Sequence, residues 1–165
     1  MARDALKLLA GRIGARLKKR NLKLATAESC TGGWIAQAVT SVSGSSSWFD
    51  RGFVTYSNEA KKELLGVRGR TLSRRGAVSR ETAEEMAAGA LARSRAQVSI
   101  AVTGVAGPTG GTKAKPVGTV CFAWSRKRGA MDSDTRHFRG GRDSVRRQSV
   151  AFALKGLLER LEETG

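Results

Sequence analysis

The stretch Ala27-Glu28-Ser29-Cys30-Thr31-Gly32-Gly33-Trp34 decides the reading of this chain. Before it, Leu22 to Ala27 is short and partly apolar, the signature of a strand. After it, Trp34, Ile35, Ala38 and Val39 fall at helical spacing. Hydroxyls, a thiol and two glycines therefore sit where a strand hands over to a helix. Two further clusters match this pattern: Gly44-Ser45-Ser46-Ser47-Trp48-Phe49, and Tyr56-Ser57-Asn58-Glu59-Ala60-Lys61. Small hydroxyl and glycine residues leave backbone N–H groups open and let nucleophiles approach a ligand. The three loops are read together as one active site.

Working outward, Leu6, Leu9, Ile13 and Leu17 mark an amphipathic helix over 2–20 that ends near Asn21. Phe49 to Tyr56 reads as a second strand, and Ser57 or Asn58 can cap a helix that reaches Leu65 and stops at Gly66. An Ala-rich helix suited to close packing follows Ser79. Val98 to Val102 is the clearest strand, leading into the Gly-rich loop from Thr103 to Thr112. Val117–Trp124 and Asp134–Phe138 can form a hairpin, and a last helix from about Arg142 presents Val150, Leu154, Leu157, Leu158 and Leu161 on one face. Alternating βα units followed by a hairpin predict a mixed, mostly parallel sheet covered on both faces, within a single domain. In such a sheet, loops that leave parallel strands gather on one rim, where ligands bind.

Composition narrows the function classes. The 165 residues carry 30 Lys and Arg against 14 Asp and Glu, a net charge of +16. Such a surplus attracts polyanions without sequence preference, so nucleic acid is a competing partner. The basic residues are dispersed, however, and only 5% of residues are aromatic, so stacking platforms for bases are scarce. A solvated basic surface or a phosphate-bearing small substrate fits equally well. Two cysteines without a CxxC pair, and one histidine, argue against a disulfide framework or a zinc site. No apolar run reaches membrane-spanning length and no signal-peptide pattern opens the chain, which reads as cytoplasmic.

The residues that could carry chemistry each admit two readings. The helix opening near Thr31, approached through Gly32 and Gly33, can receive a phosphate or oxyanion; equally, Ser29 or Thr31 is an N-cap and the glycines serve packing. Lys61 near Tyr56 can lose its proton once desolvated and activate a serine among Ser45, Ser46 and Ser47, or it can be a solvated first-turn residue. Cys30 at a helix N-terminus competes as nucleophile, or it is packing. Thr103, Gly104 and Gly107 offer N–H donors for an anion or form an ordinary turn. Arg142 can fork onto a phosphate or belong to the dispersed charge. His137, among Arg136 and Arg139, reads as a surface residue.

Taken in order, the blocks Thr26–Gly33, Gly44–Ser46, Gly52–Lys61, Gly76–Ser79, Thr103–Pro108 and Lys115–Val120 resemble the CinA C-terminal domain family, over roughly residues 5 to 160. Nothing here resembles the larger N-terminal domain of full-length members, so the likeness is to the stand-alone form. The resemblance implies a three-layer α/β/α sandwich, usually a homodimer, that hydrolyses nicotinamide mononucleotide to nicotinate mononucleotide and ammonia without metal or organic cofactor. The family's Ser–Tyr–Lys set maps onto Ser46, Tyr56 and Lys61, with the run Ser45–Ser47 leaving the serine open by one place. A nucleic-acid-binding protein and a non-catalytic nucleotide-binding module remain the competing expectations.

Overall fold

The computed structural model describes residues 2–163. Five strands form one sheet in the order β2-β1-β3-β4-β5. They are β1 (Leu24–Glu28), β2 (Phe49–Val54), β3 (Val98–Gly104), β4 (Thr119–Arg126) and β5 (Met131–His137). β1 pairs parallel with both β2 and β3, whereas β4 runs antiparallel to both of its neighbours. Four of the five strands thus share one direction. The fold is the α/β sandwich expected, with a mixed and mostly parallel sheet.

Helices α1 (Ala2–Lys19), α2 (Trp34–Thr40) and α6 (Arg142–Glu163) cover one face; α3 (Asn58–Leu65), α4 (Gly69–Arg75) and α5 (Arg80–Ala92) lie on the other. Strand alternation sorts the core between these layers. Leu24, Ile100, Val102, Phe122 and Trp124 pack under α1 and α6, while Ala25, Ala27, Ala101 and Ala123 face α5. The second layer is built from small residues, so its helices approach closely. At Gly89 of α5, a Cβ would lie 1.9 Å from the carbonyl oxygen of Leu65. The close packing expected of the Ala-rich helix is realised there.

Most expected elements form. The first helix buries Leu6, Ile13 and Leu17 while Leu9 is half-buried, and Asn21 adopts φ 56° in the left-handed turn that ends it. The last helix buries all five of its expected apolar residues. Helix α4 is the element that sequence reading passed over. Its segment Gly-Arg-Thr-Leu-Ser-Arg-Arg has no apolar period, and it is held by tertiary bonds to Glu85 from Thr71 Oγ1 (2.5 Å) and the Arg68 backbone N–H (2.9 Å). The hairpin is longer than expected, because β4 and β5 extend through polar residues to a short turn with Arg128 at φ 59°.

Candidate active site

Glu28 and Ser29 are adjacent, so they point to opposite faces of the sheet. Glu28 turns under α2. Its carboxylate accepts from Thr31 Oγ1 (2.6 Å) and from the backbone N–H groups of Ile35 (2.8 Å) and Ala36 (3.1 Å). Burial raises its pKa above the usual carboxylate range, while these bonds and one from Gly33 pull it back down. The protein's own carboxylate thus occupies the opening turn of α2. Thr31 is fully buried, its hydroxyl donated to Glu28 and its carbonyl accepting from Arg146 Nη2 (3.2 Å). Gly32 and Gly33 take positive φ (61° and 103°) to form this turn. The first-turn N–H groups of Ile35 and Ala36, where an anion was expected beside Thr31, Gly32 and Gly33, are thus taken by Glu28, and the N-cap position is Gly33 rather than Ser29 or Thr31.

Ser29 points the other way, toward α3. Its backbone N–H donates to Val102 (3.0 Å) and extends the β1–β3 ladder, while Thr55 N–H donates to Glu28 (2.9 Å) and extends β1–β2. These bonds hold Ser29 between the ends of β2 and β3. Lys61, one turn into α3, is 1% exposed and donates from Nζ to Ser29 Oγ (2.9 Å), Thr55 carbonyl (3.0 Å) and Tyr56 carbonyl (3.1 Å). Among the described residues none of its hydrogen-bond partners is a carboxylate. Burial accordingly pushes its pKa below the ordinary lysine value. A serine hydroxyl in contact with a lysine biased toward its neutral form has the geometry of a nucleophile–base pair.

The pair opens into a pocket of about 170 Å³ that Ser29, Cys30, Tyr56, Asn58, Thr103 and Arg142 help to line. Arg142 crosses the mouth, donating to Gly107 carbonyl (2.7 Å) and the Tyr56 hydroxyl (3.3 Å). Tyr56 is mostly exposed, so its phenol forms the rim while its carbonyl holds Lys61. Thr103 is buried and donates to Ala77 carbonyl (2.9 Å). A Cβ on the neighbouring Gly104 would meet Val120 Cγ2 at 2.8 Å. Gly107 (φ 84°) shapes the turn that receives Arg142. Thr103 and Gly104 end β3 rather than begin a loop.

Ser46 does not join this group within the chain. It is exposed in a short 3-10 turn before β2, whereas Tyr56 follows β2. Six strand residues at about 3.3 Å each put roughly 20 Å between them. The Ser45–Ser47 run serves the fold: Ser45 is buried, Trp48 packs against Gly14 of α1, and the Trp48 carbonyl accepts from Leu24 N–H (2.8 Å). Of the expected Ser46, Tyr56 and Lys61, only the last two meet, and Ser29 stands where a serine was sought. Cys30 lines the pocket, where burial pushes its thiol up to about 12 and so disfavours the nucleophilic thiolate. Asn58, Ala77, Val78 and Ala106 also line the pocket. Asn58 and Ala106 belong to loops that the sequence places at the site, whereas Ala77 and Val78 carry no side-chain chemistry that marks one.

The CinA C-terminal domain model matches residues 6–161. The chain belongs to the CinA C-terminal domain family. Among curated relatives, the nicotinamide-nucleotide amidohydrolase PncC of Escherichia coli strain K12 is 50% identical over 157 residues, 95% of each chain. PncC of Pseudomonas putida is 51% identical over 156 residues, covering 94% of this chain and 97% of that protein. The crystal structure of competence/damage inducible protein CihA from Agrobacterium tumefaciens superposes with a TM-score of 0.92 at 48% identity, covering 96% of both chains. Among the described residues, no helix is long and apolar enough to cross a membrane.

Proposed function

We propose that this protein is a nicotinamide-nucleotide amidohydrolase that converts the carboxamide of nicotinamide mononucleotide to the carboxylate and releases ammonia. The observation that carries this reading is the 2.9 Å contact between buried Lys61 Nζ and Ser29 Oγ at the floor of an open pocket. The relatives named PncC support the substrate. The pocket's size supports it too: about 170 Å³ takes the pyridine ring and its carboxamide, leaving ribose and phosphate outside it.

Ser29 Oγ attacks the carboxamide carbon as neutral Lys61 takes its proton. The carboxamide carbonyl becomes a tetrahedral oxyanion. Lysinium then returns that proton to the leaving nitrogen, the C–N bond breaks, and ammonia departs. Water attacks the acyl-serine with Lys61 again as base, freeing the acid and regenerating the hydroxyl. The carbonyls of Thr55 and Tyr56 fix Lys61 for both half-reactions, and Tyr56 acts through this carbonyl and at the rim. Ammonia release by purified Ser29→Ala tests the assignment. A loss of about 10³-fold or more is expected of an essential nucleophile, and near-wild-type turnover would refute it.

A further inference from the structure

The geometry points to a phosphate-binding groove beside the active-site pocket, formed by Arg74, Arg75, Arg80 and Lys115. The groove encloses about 510 Å³ where α4 hands over to α5 and where β4 begins beside the end of β5. Val78 lines both this groove and the pocket of Ser29 and Lys61, so the two adjoin. Four basic side chains and one acid, Glu81, line this concave surface together with His137. Among the described residues, none of the four has a carboxylate among its hydrogen-bond or ion-pair partners.

Two of these cations are already oriented. Arg80 donates from Nε to Ser133 Oγ (3.0 Å) and from Nη2 to the Ser133 carbonyl (2.8 Å). Lys115 Nζ donates to the Arg75 carbonyl (2.5 Å), which pins the loop ahead of β4 onto the end of α4. Neutral acceptors thus position the charges without cancelling them. Gathering like charges around a hollow costs Coulomb energy that a bound dianion would return, and concave walls focus the field further. Guanidinium forks and a lysine match phosphate oxygens. This groove also gives part of the +16 surplus a definite use.

The phosphate has two possible sources, the 5′-phosphate of a nucleotide seated in the adjoining pocket or a free polyphosphate. Calorimetric titration with pyrophosphate at physiological ionic strength tests the site directly. Arg74→Ala/Lys115→Ala is compared with Lys18→Ala/Lys19→Ala, which removes the same charge from the distant end of α1. The groove variant should weaken pyrophosphate binding at least about tenfold while the α1 variant stays near wild type. Arg74→Gln/Arg75→Gln, which keeps Lys115, should show the same loss and guards against a disturbed loop. Equal weakening by groove and α1 variants, or no measurable wild-type binding, would overturn the proposal. Turnover then separates the sources: a raised KM for nicotinamide mononucleotide with an unchanged KM for nicotinamide riboside assigns the groove to substrate. Lost pyrophosphate binding with both KM values unchanged assigns it to a free polyphosphate. The substrate arm rests on the proposed activity; the titration does not, so failure of either is seen separately.

Discussion

Replacing Lys61 by Arg separates a base from a mere cation. Arginine keeps the positive charge and the N–H donors but does not lose its proton at any accessible pH. If Lys61 accepts the Ser29 proton, Lys61→Arg removes that step at every pH, and turnover should fall by about 10²- to 10⁴-fold, roughly 3–5 kcal/mol of barrier. If it only stabilises negative charge, Arg should retain most activity. Lys61→Met supplies the stability control. Burying an ammonium costs several kcal/mol, and its three bonds at 2.9–3.1 Å return a similar sum at about 1.5–3 kcal/mol each. Methionine, which fills the same volume without charge, should therefore fold with stability within about 2 kcal/mol of wild type. The pH profile adds a check of sign. Because burial holds the folded pKa of Lys61 below its unfolded value, the unfolded chain binds more protons between the two, and stability rises with pH across that window. The acid limb of kcat/KM should rise through the same lowered pKa, and Lys61→Met should lose both trends. Ammonia release across pH, with urea melts on the same preparations, measures all of this. A Lys61→Arg enzyme within about tenfold of wild type and with an unchanged profile would refute base catalysis by Lys61.

Two further outcomes follow from the geometry. Ser46→Ala should keep turnover within about twofold of wild type, since Ser46 is exposed and lies roughly 20 Å of strand from Tyr56; a loss comparable to that of Ser29→Ala in the same assay would contradict the placement. Gly89→Ala should destabilise by more than about 3 kcal/mol, because its Cβ would collide with the Leu65 carbonyl oxygen at 1.9 Å and drive α3, which carries Lys61, away from α5. Chemical denaturation of that variant with an unshifted midpoint would show that α3 can yield.

The layers of this fold follow from local patterning. Period-2 and period-3.6 apolar patterns are local, and each βα handover carries its own turn chemistry, so the strands, the major helices and the rim of loops after β1, β2 and β3 were legible from residues alone. Helix α4 was not, because its stability comes from Glu85, a residue brought to it from α5. Which serine meets Lys61 is decided only in three dimensions. Ser29, Ser46 and their hydroxyl neighbours look alike along the chain, but strand alternation sends Glu28 to cap α2 and Ser29 to meet Lys61, while β2 carries the Ser45–Ser47 run to the opposite end of the sheet. The same holds for the anion site expected at the first turn of α2. A glycine-flanked helix start is open in sequence, and here a buried glutamate from the preceding strand closes it. Contacts between residues far apart in the chain depend on which side of the sheet each side chain leaves and on how far a strand travels. Neither quantity is fixed until the strands are paired.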